Sequence, residues 1–260
     1  MSDRTCGRRS FVGDVLTGAT GLVLLGAPRD ATAAVAAPAG TLGTLPWPRQ
    51  PLDPEVAAGR AFQAYSNGHC MQGAFEGIVG PAAEKLGEPY TGFPFAMFAY
   101  GAGGVQGWGT LCGALNGAAA AFQLLSPDPA KLTDALFAWY EREALPDYSP
   151  RAAKFPNVKA RAGTPLCHAS ISAWCKASGK KAYSAERKER CGALAASVAR
   201  KAVLLLAEQR AGTAVAATLS AQATSCGGCH EKGGSLEDTR ARMDCRGCHQ
   251  VGEHPRRAAP

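Results

Sequence analysis

No apolar run in this 260-residue sequence reaches the roughly 20 residues that a membrane-spanning helix requires, so no membrane span is expected. Charge is sparse too. Asp, Glu, Lys and Arg make up 19% of the chain and apolar residues 46%, which excludes a disordered tail or a coiled coil. The 28 Lys and Arg exceed the 21 Asp and Glu by seven, a mildly basic and scattered excess that gives no argument for nucleic acid. Methionine and histidine are few, at four and five residues. Strand-like alternation is missing. The length suits one large domain or two small ones.

What the chain has in excess is cysteine, with ten residues. That is too many for an ordinary cytosolic enzyme, and only some fall in a pattern.

Residues 1–36 read as a targeting segment. Arg8-Arg9-Ser10-Phe11-Val12 resembles a twin-arginine export signal. A short apolar stretch follows from Val15 to Ala27, then small-residue cleavage sites at Ala31-Thr32-Ala33 and Ala34-Val35-Ala36. Export places the mature chain in the periplasm and removes Cys6. The segment holds four Arg and three Asp, so the net charge falls from +7 to +6. The twin-arginine route carries folded proteins, which allows a cofactor inserted in the cytoplasm to travel inside.

Residues 37–52 form a Pro- and Gly-rich linker or extended arm. Residues 53–222 read as mainly α. Asp53-Pro54 caps and opens a first helix, interrupted at Ser66-Asn67-Gly68 and resumed from His69. A small-residue helix is expected from Thr110 to Leu125, and another after Asp128-Pro129 with Leu132, Leu136, Trp139 and Tyr140 on one face. Thr164-Pro165 opens a short helix ending near Gly179. Ser184 opens the longest, with Cys191, Leu194, Ala195, Val198, Ala202 and Leu205 as an apolar stripe. The Gly101–Gly107 stretch lacks nucleotide-loop spacing and reads as tight turns. Residues 223–260 form a short irregular tail with too little apolar surface to order itself.

That tail carries two C-x-x-C-H motifs, Cys226-Gly227-Gly228-Cys229-His230 and Cys245-Arg246-Gly247-Cys248-His249. The spacing is that of covalent haem c attachment. Two thiols add to the porphyrin vinyl groups, and the adjacent His230 or His249 becomes the proximal iron ligand. The Cys229–Cys245 interval also fits a zinc-ribbon-like binding module, but zinc gives no reason for a His after each cysteine pair. Distal iron ligands are sought among His69, His168 and His254, with Met71, Met97 and Met243 as the mature alternatives.

Five cysteines remain: Cys70, Cys112, Cys167, Cys175 and Cys191. In an exported protein, disulfides are the ordinary reading. Cys167 and Cys175, if on one helix, lie about 12 Å apart and cannot pair. Cys70, Cys112 and Cys167 each fall near a helix start, where the dipole favours thiolate. Four converging thiolates would suit a [2Fe–2S] or other iron–sulfur cluster.

Cys70 with Met71-Gln72, then Cys112-Gly113-Ala114-Leu115-Asn116-Gly117, Cys167 and Cys191 resemble the cysteine-rich redox family named for its C, G-C-A-x-x-G, C, C pattern. With the two C-x-x-C-H motifs behind it, the block, over about residues 54–250, resembles the split-Soret cytochromes c. The order here is Cys112-Gly113-Ala114, not Gly-Cys-Ala, and Cys175 is additional.

The resemblance implies a mainly helical homodimer with two close, bis-His c-type haems per subunit. One axial ligand crosses the dimer, and an iron–sulfur centre lies in the same chain. The expected function is electron transfer between redox protein partners. The competing expectation is an oxidoreductase subunit with one reactive five-coordinate haem.

Overall fold

The computed structural model describes residues 43–249. The signal segment, the first part of the arm and His254 lie outside the described residues. The described chain is mainly α, as the periodicity predicts.

The end of the arm is not loose. Trp47 is buried, its ring meets that of Tyr90 edge-on at 5.0 Å, and its backbone N–H donates to the Leu124 carbonyl at 2.7 Å.

Helix α1 (Pro54–Leu86) starts where its cap predicts. The Asp53 carboxylate accepts from the N–H groups of Glu55 and Val56, and Pro54 occupies the first turn. The helix is broken at His69, whose φ of 61° and ψ of −155° are not helical. Cys70 therefore opens a second helical run.

A 3₁₀ segment (Phe95–Gly101) and a run of turns follow. In those turns Gly103, Gly104, Gly107 and Gly109 all take positive φ. Helix α2 (Gly113–Leu125) packs on α1, and α3 (Pro129–Arg142) packs on α2. On α3, Leu132, Leu136 and Tyr140 are buried while Trp139 is only half-buried.

Strands β1 (Ala144–Leu145) and β2 (Ala160–Arg161) pair antiparallel, a two-residue ladder too short to show in the sequence. Helix α4 (Cys167–Ser178) ends at Gly179 in the left-handed conformation. Helix α5 (Ala185–Arg210), capped by Ser184, packs along α1 and buries its stripe from Cys191 to Leu206.

Two helices start later than expected, for one shared reason. Helix α2 begins at Gly113 rather than Thr110, and α4 at Cys167 rather than Thr164–Pro165. The residues between form an antiparallel bridge at Leu111 and Leu166. Cys112 N–H donates to Pro165 O at 2.9 Å, and Cys167 N–H to Thr110 O at 2.7 Å. The bridge holds Cys112 and Leu166 in extended backbone, with ψ of 124° and 136°, so neither segment can begin a helix earlier.

The tail is ordered by docking. Helix α6 (Ala221–His230), capped by Ser220, runs through the first C-x-x-C-H motif. The regular structure thus reaches into the tail that composition marks as irregular. Arg142 donates to Thr218 O at 2.6 Å, Arg242 pairs with Asp134, and Asp244 N–H donates to Glu141 at 3.3 Å. Helix α3 is the platform.

Candidate redox centres

The body and the tail each gather cysteines. In the body, Cys70 follows the α1 break, Cys112 is the N-cap of α2, Cys167 is the first residue of α4, and Cys191 lies in the first half of α5. All four are buried. The Leu111–Leu166 bridge sets Cys112 beside Cys167, and α1 packing on α5 sets Cys70 beside Cys191.

The Cys70 thiol donates a hydrogen bond to Cys191. This bond, then burial and the nearby Cys112 and Cys167, push Cys70 well up. Cys191 is pulled down to about 5, first by that hydrogen bond and then by the charges of Arg190 and Arg187. Burial raises Cys112, and pushes Cys167 up to about 12. Cys175 stands apart, half-buried and eight residues along α4 from Cys167, which is about 12 Å of helix.

Arg190 was not singled out by the sequence, because it adjoins Cys191 on an otherwise apolar stripe. It is buried, with Nη2 on Ser170 Oγ at 2.9 Å and Nη1 4.0 Å from Cys191 Sγ. Its Nε is buried without a hydrogen-bond acceptor. The Tyr140 hydroxyl is buried near Cys112 and Ser170 without completing a hydrogen bond. A buried cation with an unsatisfied donor beside the Cys191 thiolate and three further buried thiols suits an anionic iron–sulfur group. No disulfide joins any of the nine described cysteines.

In the tail, Cys226, Cys229 and His230 sit at i, i+3 and i+4 on α6, so they share one face. The second motif makes one tight turn (Cys245–Gly247, 3₁₀), closed by N–H bonds from Cys248 and His249 to Cys245 O. His230 Nδ1 lies 2.7 Å from Asp238 Oδ1. An imidazole that donates Nδ1–H to a carboxylate carries its lone pair on Nε2, the arrangement found behind metal-binding histidines. No sequence signal marks Asp238 for this role. Only the turn of residues 231–237 brings it back.

Cys226 and Cys245 are neighbours, and both border a cavity of about 140 Å³ that His230 and His249 also line. The loop of residues 231–242 bounds a larger space of about 940 Å³, within the range of cofactor sites. The thiol pairs and adjacent imidazoles around the smaller cavity fit haem c.

The candidate distal ligands differ in setting. His168 is exposed in the first turn of α4, with Nδ1 2.9 Å from Gly109 O; a carbonyl can only accept, so Nδ1 carries the proton. His69 is exposed at the α1 break, edge-on to Tyr65 at 5.9 Å. Met71 is in the core and Met97 is exposed, while Met243 approaches Thr164 Oγ1 at 3.8 Å. Among the described residues, no three His, Cys, Asp or Glu side chains are set to hold a single metal ion. No described helix is long and apolar enough to cross a membrane.

A helical body around buried thiols, joined to a tail of C-x-x-C-H turns, defines a redox protein of the cytochrome c class. The family model described as "Putative redox-active protein (C_GCAxxG_C_C)" matches residues 73–205. The split-Soret cytochrome c of Desulfovibrio desulfuricans is 37% identical over 219 residues, covering 80% of this chain and 78% of the relative. A solved structure of that cytochrome, reported for a novel iron centre, aligns with a TM-score of 0.74. It covers 80% of this chain and 91% of the other, also at 37% identity. The chain belongs to the split-Soret cytochrome c family, whose members are haem-containing, iron-dependent electron-transfer proteins.

Proposed function

We propose that this chain is an exported dihaem c-type cytochrome that passes single electrons and carries an additional iron–sulfur centre in its helical body. Cys226 and Cys229 would hold one haem and Cys245 and Cys248 the other, with His230 and His249 as proximal ligands. Cys70, Cys112, Cys167 and Cys191 would hold the cluster, leaving Cys175 out. When bound, these groups supply one-electron exchange at iron.

The observation that carries the reading is the setting of both motifs around one cavity, Cys226 beside Cys245. The body and tail also meet at a second cavity of about 260 Å³, where Pro165 and Leu166, which lead into Cys167, face Met243, which precedes Cys245 by two residues. An electron arriving at either centre has the other close by.

Asp238 orients His230. The Gly109 carbonyl orients His168, a distal candidate with His69 and His254. Arg190 supplies the buried positive charge that anionic thiolates need. A homodimer sharing one axial ligand accounts for histidines exposed on the body surface. Export rests on the Arg8-Arg9 segment.

A pyridine haemochrome spectrum with an iron and acid-labile sulfide count tests this. Two haem c per chain, plus further iron matched by sulfide, is expected. Absence of haem c would refute it.

A further inference from the structure

The basic excess is not scattered, as composition alone suggests. From Tyr148 to Arg190 the chain holds ten Lys and Arg against two acids, Glu186 and Glu189, a net of +8. The rest of the chain has 18 Lys and Arg against 19 Asp and Glu. One segment therefore contains the entire excess, and between Asp147 and Glu186 there is no acidic residue at all.

The fold brings this segment to one end of the body. Arg151 and Lys154 lie on a loop whose Lys154 and Phe155 N–H groups are held by the Glu189 carboxylate at 3.0 Å. Lys180 reaches Glu186 at 3.0 Å from the α4–α5 turn, where Lys181 adjoins it. Glu186 and Glu189 are one turn apart on α5 and line one small cleft with Phe155, so loop and turn flank the same helix start. Arg161 lies on β2 with Lys159 just before it, and β2 packs on α4, which carries Lys176. All seven of these cations are exposed. Glu186 is paired with Lys180 and Glu189 is turned to the loop N–H groups, and the net of +8 already counts both.

The helices that carry or adjoin this surface also carry Cys167 and His168, at the start of α4, and Cys191, one residue past the buried Arg190 of α5. We propose that this basic face is the docking surface for an acidic one-electron carrier protein, held by charge complementarity over the thiol-bearing end of the molecule. The inference rests on the reading of the chain as a haem-bearing electron carrier. A nucleic acid or lipid surface would meet the same cations, but neither exchanges electrons with an iron centre. In the step itself, the reduced carrier would lose one electron to the iron centre held by the body thiols, which would pass it on to a ferric haem iron of this chain, with no bond made or broken. A field of this kind raises association rates by about 10–10³-fold and is screened by salt.

The test uses the intact dihaem protein with a reduced acidic [2Fe–2S] ferredoxin as probe, following Soret absorbance by stopped flow. Raising salt from about 20 to about 200 mM, which shortens the Debye length to within a protein contact, should cut the bimolecular rate at least tenfold. The triple variant Lys159→Gln, Lys176→Gln, Lys181→Gln should show a similar fall at low salt and a flatter salt slope. Lys85→Gln, on the exposed end of α1, should match the parent. Reduction by the neutral lumiflavin semiquinone should not change in any variant.

Calorimetric binding of the oxidised ferredoxin gives the same comparison without needing haem. Loss of the haem signal would sink the cytochrome reading alone, whereas docking would still be judged by calorimetry. Binding and rates indifferent to salt and to the triple variant would overturn the docking proposal. So would a variant that loses only its affinity for DNA or for phosphatidylglycerol vesicles.

Discussion

Gly117 of α2 lies so close to Met71 of α1 that a Cβ there would stand 2.2 Å from the Met71 carbonyl oxygen. One turn earlier, a Cβ on Gly113 would meet Gly101 O at 2.2 Å and the Cys70 Cβ at 3.0 Å. The two glycines let α2 approach α1 at the level where Cys112 faces Cys70. Gly117→Ala should therefore cost about 1–3 kcal/mol by overpacking against backbone that cannot yield. It should also lower iron retention by displacing Cys112. Gly59→Ala is the control of opposite sign. Its Cβ would meet nothing nearer than the Tyr148 hydroxyl at 3.8 Å, and helix propensity favours alanine by about 0.5–1 kcal/mol. Denaturant unfolding of the two variants checks both signs.

The body thiols make a sharper division than their spacing allows. Serine at Cys70, Cys112, Cys167 or Cys191 should each abolish most non-haem iron and sulfide, because each removes a ligand from one buried group. Serine at Cys175 should leave both at parental levels. Iron and sulfide analysis on anaerobically purified protein decides it. Equal loss in the Cys175 variant would mean that a different set of thiols binds.

Much of this was legible in the chain, and what was not has identifiable causes. Asp53, Pro54, Asp128 and Ser184 act through bonds to their immediate neighbours, so the helix starts they mark could be read locally. The Leu111–Leu166 bridge could not. It pairs residues 55 positions apart over a few residues, too short for any period, yet it moves two helix starts and juxtaposes Cys112 with Cys167. Arg190, Asp238 and the charge segregation over residues 148–190 escaped for a related reason. Each acquires meaning only from what folding places beside it, and a whole-chain net charge averages the last of them away.

His69 combines a candidate iron ligand with a costly backbone. Its φ of 61° and ψ of −155° fall in a region that essentially only glycine occupies, at about 1–3 kcal/mol for other residues. A side chain kept there at such expense suggests a use for the imidazole. His69→Gly should raise the midpoint of denaturant unfolding, since the strain is relieved. In the same protein it should convert part of the low-spin haem signal to high-spin, whether the ligand serves its own chain or a partner. His168→Ala, which relieves no such strain, should change the spin state without the gain in stability. Unfolding curves together with visible and electron paramagnetic resonance spectra separate the two effects.

Acid should loosen the second motif before the body. Asp244 accepts from Arg246 N–H at 3.0 Å and pairs with its guanidinium, capping the turn that presents Cys245 to His249. The Arg246 side chain, through its hydrogen bonds, holds the Asp244 carboxyl down at about 2 against an ordinary 3.8. Because the folded value is the lower one, the carboxylate stabilises the turn fully above the ordinary value. That contribution is lost as pH falls from about 4 towards about 2, where the folded state must also take up the proton. Asp244 is only 15% exposed, but its partner Arg246 is solvent-accessible, so the effect is modest and screened by salt. Amide exchange of the Arg246 and Cys248 N–H groups should therefore quicken through this window in the parent, relative to buried amides of α5. Asp244→Asn keeps a capping oxygen but loses the charge, and should show faster exchange at neutral pH with no further acid step. An acid step that persists unchanged in the variant would assign it to another carboxylate.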